Sequence, residues 1–306
     1  VSALFFMAMW NSYHLGGFYY FRGGSQAVSN AMAAVFTEHG GTLELGTTVT
    51  GILVENNAVK GVRTESGVCY LARHVVSNAN APDTLLKMVG RDKLPAAYVR
   101  SVEAMTVGLS ALVIYLGVDH DYAEVFGSTH EVMVNDSYDV GQVFAAIEGC
   151  APERTAMALA NYSVVDPGVA PPGKNVITIT SQLGYACNQD WQWGVSHRDY
   201  AAYKESLAAV YIQRAERLLP GLSRHIEVME VGTPQTIRAF TLNPRGTIFG
   251  FDNTPEQSTQ RRLAQETPVA GLYLAGAWTF PGGGQSAVMT SGLNAANLVI
   301  RREMGP

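Results

Sequence analysis

The amino-acid sequence predicts an α/β fold of about two domains, and three observations predict it. First, the 306 residues are 47% apolar and 15% charged, enough for a large core and too little charge for disorder. Second, strand-like and helix-like hydrophobic patterns both recur along the chain. Third, near the end a short apolar strand runs into a glycine loop and a helix (GLYLAGAWTFPGGGQSAVMTSGLNAA, 271–296). Collagen-like, coiled-coil and disulfide-scaffold classes are excluded by composition. A net charge of −5 with no basic run argues against nucleic acid as the main partner.

The elements follow in order. Residues 1–10 (VSALFFMAMW) are almost wholly apolar, too short to span a bilayer and without the basic residues that open a signal peptide. They read either as a core helix or as a wall of an apolar site. With no initiator Met, the chain is expected to be part of a longer protein. Residues 25–39 read as a helix with Ser25 as its cap, Val28, Met32, Val35 and Phe36 on one face, and Gly40-Gly41 as its stop. Strands are expected at 42–45, 49–55, 58–64, 68–72 and 74–77, with Asn56-Asn57 turning the second into the third because Asn tolerates positive φ. Pro82 suits the first position of a helix reaching 89.

Helices are then expected at 95–105 and 141–148, a long strand at 106–118, a loop at 166–174 and a strand at 176–183. The clearest helix is 199–219, with Tyr203, Leu207, Val210, Tyr211 and Leu218 on one face and Pro220-Gly221 closing it. A strand at 226–231, an irregular stretch to 257, a strand at 272–275 and a helix from 285 to 301 complete the chain. Cys69, Cys150 and Cys187 form no metal or redox spacing and read as reduced thiols packed as small hydrophobes.

Motifs for hydrolysis are absent: there is no G-x-S-x-G, no H-E-x-x-H and no P-loop, and the seven histidines show no metal-binding spacing. No metal is expected. Gly282-Gly283-Gly284-Gln285-Ser286-Ala287 satisfies G-x-G-x-x-G/A between a strand and a helix. It lacks the further strand and acidic residue of a Rossmann phosphate loop. What remains is a glycine loop that admits close approach, and a helix N-terminus with free N–H groups and partial positive charge. The plain alternative is a loop-to-helix junction.

The blocks FYYFRGGSQA (18–27), GGTLELGTTVTGILV (40–54), VVSNAN (75–80), GTPQTIRAFTLNPRGTIFGFDNTPEQ (232–257) and the closing glycine block occur in that order. Together they resemble the phytoene desaturase and carotenoid isomerase family of FAD-dependent oxidoreductases. The resemblance covers nearly the whole chain, is specific at both ends and is weak across 91–225. It implies a two-domain flavoprotein oxidoreductase fold missing its first Rossmann unit, the N-terminal βαβ unit of the family. Residues 25–90 and 263–306 would be the remainder of the FAD-binding domain. Residues 1–24 and 91–262 would form a substrate domain with a mixed or antiparallel sheet.

Residue by residue, the resemblance implies that Thr48 and Val49 meet the adenine and that Asn78 and Ala79 form the turn beneath the dinucleotide. Gly276 and Ala277 match the passage of the ribityl-pyrophosphate, with Ala277 where many flavoproteins carry Asp. Gly284, Gln285, Ser286 and Ala287 match the loop and helix start at the pyrimidine edge, and Gly23 and Gly24 the turn near the isoalloxazine face. Trp278 and Phe280, beside the glycine loop, are candidates for an apolar substrate pocket. No catalytic side chain is identified, which suits hydride transfer at a flavin, where positioning matters more than a nucleophile.

The implied function is the C-terminal portion of an FAD-dependent oxidoreductase or isomerase acting on an apolar polyene, carotenoid- or retinoid-like. The alternatives are a non-catalytic truncated chain or subunit completed by another polypeptide, and an amine oxidase-like flavoenzyme. The expected location is cytoplasmic or peripheral to a membrane.

Overall fold

A computed structural model describes residues 2–184 and 197–305, and the chain forms two compact units. Unit 1 contains Val1–Gly17, Leu43–Gly108 and Ile248–Pro306. Unit 2 contains Phe18–Thr42 and Leu109–Thr247.

Unit 1 begins with helix α1 (Ala3–Gly16), capped where the Ser2 hydroxyl accepts from the Phe5 N–H. None of its residues is buried, so the core-helix expectation fails: the Ser2 N–H donates to the Asn253 carbonyl at 2.7 Å, while Leu4, Phe6, Met7 and Trp10 stay exposed. Strands β1 (Val49–Glu55), β2 (Ala58–Thr64) and β3 (Cys69–Leu71) form an antiparallel sheet in chain order. Asn56 and Asn57 turn the first hairpin with φ of 48° and 58°, as the sequence predicts. The expected strand at 42–45 is not formed; among the described residues no strand pairs with it to take up its backbone groups.

A second sheet pairs β4 (Val75–Ser77) in parallel with β10 (Leu272–Leu274). Alternation along β10 sends Leu272 and Leu274 into a core with Ile52, Val59 and Leu85, and Tyr273 against Ala295 of helix α8 (Gln285–Met304). The helix expected from Pro82 is a wider π-helical segment, Asp83–Gly90, which buries Thr84, Leu85 and Val89. Helix α3 (Ala96–Glu103) follows and adds Val99 and Val102 to the same core.

Unit 2 opens with helix α2 (Ser25–Glu38). Its cap is Gly24 at φ 78°, not Ser25, which is already helical. Five antiparallel strands form one sheet in the order β6 (Glu131–Val134), β7 (Met157–Asn161), β8 (Asn175–Leu183), β5 (Ser110–Val118) and β9 (Ile226–Gly232). The sequence pattern did not foresee β6 and β7, which are short. It also started β5 four residues early: the Thr106 backbone is held by the Gln257 side chain and the Gly108 N–H by the Gly250 carbonyl, both outside the sheet.

Helix α6 (His197–Ala215) ends before the expected 219 and buries Ala208, Tyr211, Ile212 and Ala215 in the core, with Tyr203 and Leu207 of the expected face packed beside them and Leu218 left exposed. Helix α4 (Ala123–Phe126) and helix α5 (Val140–Glu148), capped by Asp139, flank β6 in sequence. Helix α7 (Pro234–Thr241) falls where an irregular stretch was expected. Thr233 caps it by accepting from the Thr236 N–H, and Pro234 occupies its first turn.

Cys69 is exposed and free rather than packed, and Cys150 is disulfide-bonded, which corrects the expectation of reduced, packed thiols; Cys187 lies outside the described residues. Among the described residues no helix is long and apolar enough to cross a membrane.

Candidate functional site

The carboxyl ends of the parallel pair in unit 1 bring two of the sequence-predicted pairs together. Asn78 and Ala79 follow β4, and Gly276 and Ala277 follow β10. In parallel α/β sheets this end is where ligands bind. The two pairs touch: a Cβ on Gly276, at φ 88°, would lie 2.0 Å from the Asn78 Oδ1. Glycine at 276 is therefore favoured by its positive φ, and any side chain there would displace the Asn78 amide.

The loop that follows is held by buried polar groups. The Ser291 hydroxyl accepts from the Gly276 N–H at 3.1 Å and meets the Thr279 hydroxyl at 2.7 Å. The Gln265 side-chain amide donates to the Phe280 carbonyl and to Ser291. Arg262 is 3% exposed and hydrogen-bonds to the Ala277, Phe249 and Phe251 carbonyls and to the Asn253 Oδ1. Burial pushes its guanidinium down to about 10, with Asp252 acting in the opposite sense. Trp278 is buried edge-on against Phe251, whereas Phe280 is 36% exposed.

The three loop glycines differ. A Cβ on Gly283 would meet the Phe249 ring at 2.6 Å, and one on Gly282 would stand 3.5 Å from the Arg262 Nε. These two serve the chain's own packing. Gly284 has φ 107° and nothing within 4 Å of a Cβ built on it. It caps α8 without any side-chain hydrogen bond, so the first turn at Gln285, Ser286 and Ala287 presents free backbone donors beside open space. The ligand-binding reading thus attaches to Gly284 and the junction reading to its two predecessors. Thr48 and Val49, also in unit 1, are exposed at the start of β1, where the Thr48 carbonyl accepts from the Glu65 N–H at 2.8 Å.

Gly23 and Gly24 belong to unit 2. The Gly23 N–H donates to the Asp166 carboxylate at 2.6 Å, and both glycines have positive φ, 81° and 78°. Tyr20, beside them, stacks at a tilt on Tyr162 at 4.9 Å, and partial burial raises its hydroxyl above the usual tyrosine value. Sequence reasoning missed Arg262, Ser291 and Asp166. A lone Arg or Ser carries no signal for burial, and Asp166 stood out only as the head of an Asp-Pro-Gly loop. Among the described residues no group of three or more His, Cys, Asp or Glu is placed to hold a metal.

The family model for flavin containing amine oxidoreductases matches residues 2–300. The prolycopene isomerase of Daucus carota is 31% identical over 94% of this chain and 45% of its own length. A neurosporene-forming phytoene desaturase of Rhodobacter capsulatus is 31% identical over 92% of this chain and 54% of its own. The chain spans about half the length of the curated relatives it matches. Among solved structures, an oxidoreductase from Methanosarcina mazei superposes with a TM-score of 0.57 at 17% identity, over 92% of this chain and 55% of that one. A reduced UDP-galactopyranose mutase gives 0.56 at 15% identity, over 91% and 51%. The mixed α/β fold is shared with these two solved structures.

Proposed function

We propose, for a chain that belongs to the flavin containing amine oxidoreductase family, that it forms about half of an FAD-dependent desaturase or isomerase acting on an apolar polyene. One observation carries the FAD assignment in this chain: Gly284 opens onto free space at an α8 N-terminus that no side chain caps. The residues present fit FAD on that ground. Gly284 and the amides of Gln285, Ser286 and Ala287 would hold the pyrimidine edge, where a helix N-terminus favours negative charge. Gly276 and Ala277 would hold the ribityl-pyrophosphate, Asn78 and Ala79 the turn beneath it, and Thr48 and Val49 the adenine. Gly23 and Gly24 would serve the isoalloxazine face. FAD, when bound, supplies hydride and electron transfer.

Unit 1 is assigned to the cofactor, because all but two of the residues named for it lie there; the two pocket candidates, Trp278 and Phe280, lie in unit 1 as well. Phe280, at the rim of the loop, is the more accessible of the two pocket candidates, and Trp278 supports it from the core. An apolar polyene partitions into lipid, so the working site is placed in the cytoplasm or at a membrane surface. The dinucleotide cradle needs the family's βαβ unit. The chain alone is therefore expected to bind FAD weakly or not at all, and to load it stoichiometrically when joined by a polypeptide carrying that unit. The absorbance spectrum of each purified form tests this. Protein that stays colourless with the unit supplied refutes the FAD reading. Turnover of a primary amine and not of a polyene would move the chain to the amine oxidase-like alternative.

A further inference from the structure

Arg262 is a buried cation whose hydrogen-bond acceptors are all neutral. The Nε and Nη2 both reach the Ala277 carbonyl, at 3.2 and 2.6 Å. The Nη2 also reaches the Phe249 and Phe251 carbonyls at 2.9 and 2.8 Å, and the Nη1 reaches the Asn253 Oδ1 at 3.0 Å. Removing a guanidinium from water without a carboxylate partner is costly, so a site that keeps one must use its fork of donors. Here the fork joins two stretches of backbone far apart in sequence, 249–253 and the loop at 277. It also passes 3.5 Å from where a Cβ of Gly282 would be. Ser291 and Gln265 grip the same loop at Gly276 and Phe280.

We propose that Arg262 is the positioning residue of this loop: its guanidinium sets where the Ala277 carbonyl and the adjoining glycines stand to receive the dinucleotide. The proposal rests on the FAD reading above and adds the device that makes the receiving surface rigid. Pre-set hydrogen-bond partners spare a ligand the ordering of the loop. Arg262 is 3% exposed and its donors are taken up by the Ala277, Phe249 and Phe251 carbonyls and the Asn253 Oδ1, so it acts through the backbone it holds.

The test compares R262Q and R262K with the unaltered chain. In the ligand-free chain, amide hydrogen exchange over residues 276–284 should quicken at least tenfold in R262Q and less in R262K, with exchange in β5 and β8 unchanged. Lysine keeps the charge but cannot span the same acceptors. With the βαβ unit supplied, the FAD dissociation constant should rise at least tenfold in R262Q and by a smaller factor in R262K. Both variants should shift the absorbance bands of the bound flavin. An Arg262 that merely supports the fold would lower the melting temperature and leave, in folded R262K, loop exchange and flavin spectrum as they were; that result overturns the proposal. So does an R262Q chain with unaltered exchange, or with FAD affinity within twofold of the unaltered protein. If R262Q does not fold, R262K decides on the same readouts. Absence of FAD binding in the unaltered protein refutes the cofactor reading, and the exchange data then judge the loop clamp alone.

Discussion

Unit 2 builds its core on one five-stranded sheet, whereas unit 1 packs a smaller core around short sheets and holds one loop with buried polar groups. In unit 2, β5 and β8 pair over nine residues without a register shift, from Ser110 opposite Leu183 to Val118 opposite Asn175. Leu112, Ile114, Leu116, Ile177 and Ile179 are at most 1% exposed, and α6 covers them with Tyr211 and Ala215. In unit 1 the parallel sheet has two strands of three residues each, too little to be stable by itself. Val76 on β4 and Leu293, Ile300 and Met304 on α8 are 47 to 80% exposed. The contrast teaches where stability and function are kept. The antiparallel unit draws its strength from apolar burial. The unit with the candidate cofactor residues holds its loop with Arg262, Ser291 and Gln265 in place of a larger sheet.

The strongest way to break that comparison is a cavity in the unit 2 sheet. Ile179→Ala should cost about 2–5 kcal/mol, because a fully buried β8 side chain loses its contacts and the pleated neighbours collapse only in part. The urea midpoint of the unit 2 transition measures it, and a loss below about 1 kcal/mol, the range of volume-conserving core changes, would mean that the sheet is less tightly packed than described.

A polar counterpart in unit 1 should cost less and act locally. Ser291 is fully buried, and its hydroxyl serves Gly276, Gln265 and Thr279. Ser291→Ala leaves the Gly276 N–H without its acceptor, at a cost of about 1–3 kcal/mol for an unmet buried donor. Faster amide exchange at Gly276, with β1 and β2 unchanged, is the expected signature. Uniform destabilisation of unit 1 would show that Ser291 supports the whole core instead.

Smaller again is the loss of a helix cap. Asp139 accepts from the Gly141 and Gln142 N–H groups at 2.9 and 3.2 Å at the start of α5. Asp139→Ala should cost about 1 kcal/mol in chemical denaturation. No loss at all would mean that α5 is set by packing of Ala146 and Ile147 alone.

The two units also differ in how much of them could be read from sequence. The bounds of the β1–β2 hairpin were legible to the residue, because an Asn-Asn turn between alternating segments marks where the strands end; its register shifts, between Val49 and Gly51 and between Leu53 and Val54, were not. β5 and β8 were legible as strands, though β5 was begun early, because a continuous apolar run at 111–116 and a β-branched run at 176–180 mark a buried sheet. β6 and β7 were not, since four or five residues give too few periods to tell a strand from a loop. Helix α7 carried its signals, Thr233 before Pro234, yet its eight residues include Thr, Phe and Ile, which are neutral for helix. In the candidate site, Gly276 and Gly284 stood out because glycine announces unusual backbone. Arg262 and Ser291 did not, because what makes them matter is burial against residues 9 to 26 positions away, and no local pattern encodes that.

The finest difference between the units is in their acid response. In unit 2, Glu216 accepts from the Ser223 hydroxyl at 2.5 Å and from the Ser223 N–H at 2.9 Å, and these bonds hold its carboxyl below the ordinary 4.5. In unit 1, Glu303 is lowered first by its hydrogen bond to His74, at 2.7 Å, and then by Arg73. For a carboxylate whose folded value is depressed, the stabilisation is present above the unfolded value and is lost as pH falls through the folded one. Both carboxylates are solvent-exposed, so screening keeps each effect small. Glu216→Gln should flatten the acid limb of the unit 2 transition below about pH 4.5 by removing a small part of the neutral-pH stability, with the stability at low pH unchanged. Glu303→Gln should do the same in unit 1 and free the end of α8 from β4, because the bond it loses joins His74, just before that strand, to the last turn of the helix. Urea midpoints taken every half pH unit from 3 to 7 separate the two. If Glu216→Gln keeps the acid slope of the unaltered chain, the Ser223 bonds do not survive in solution.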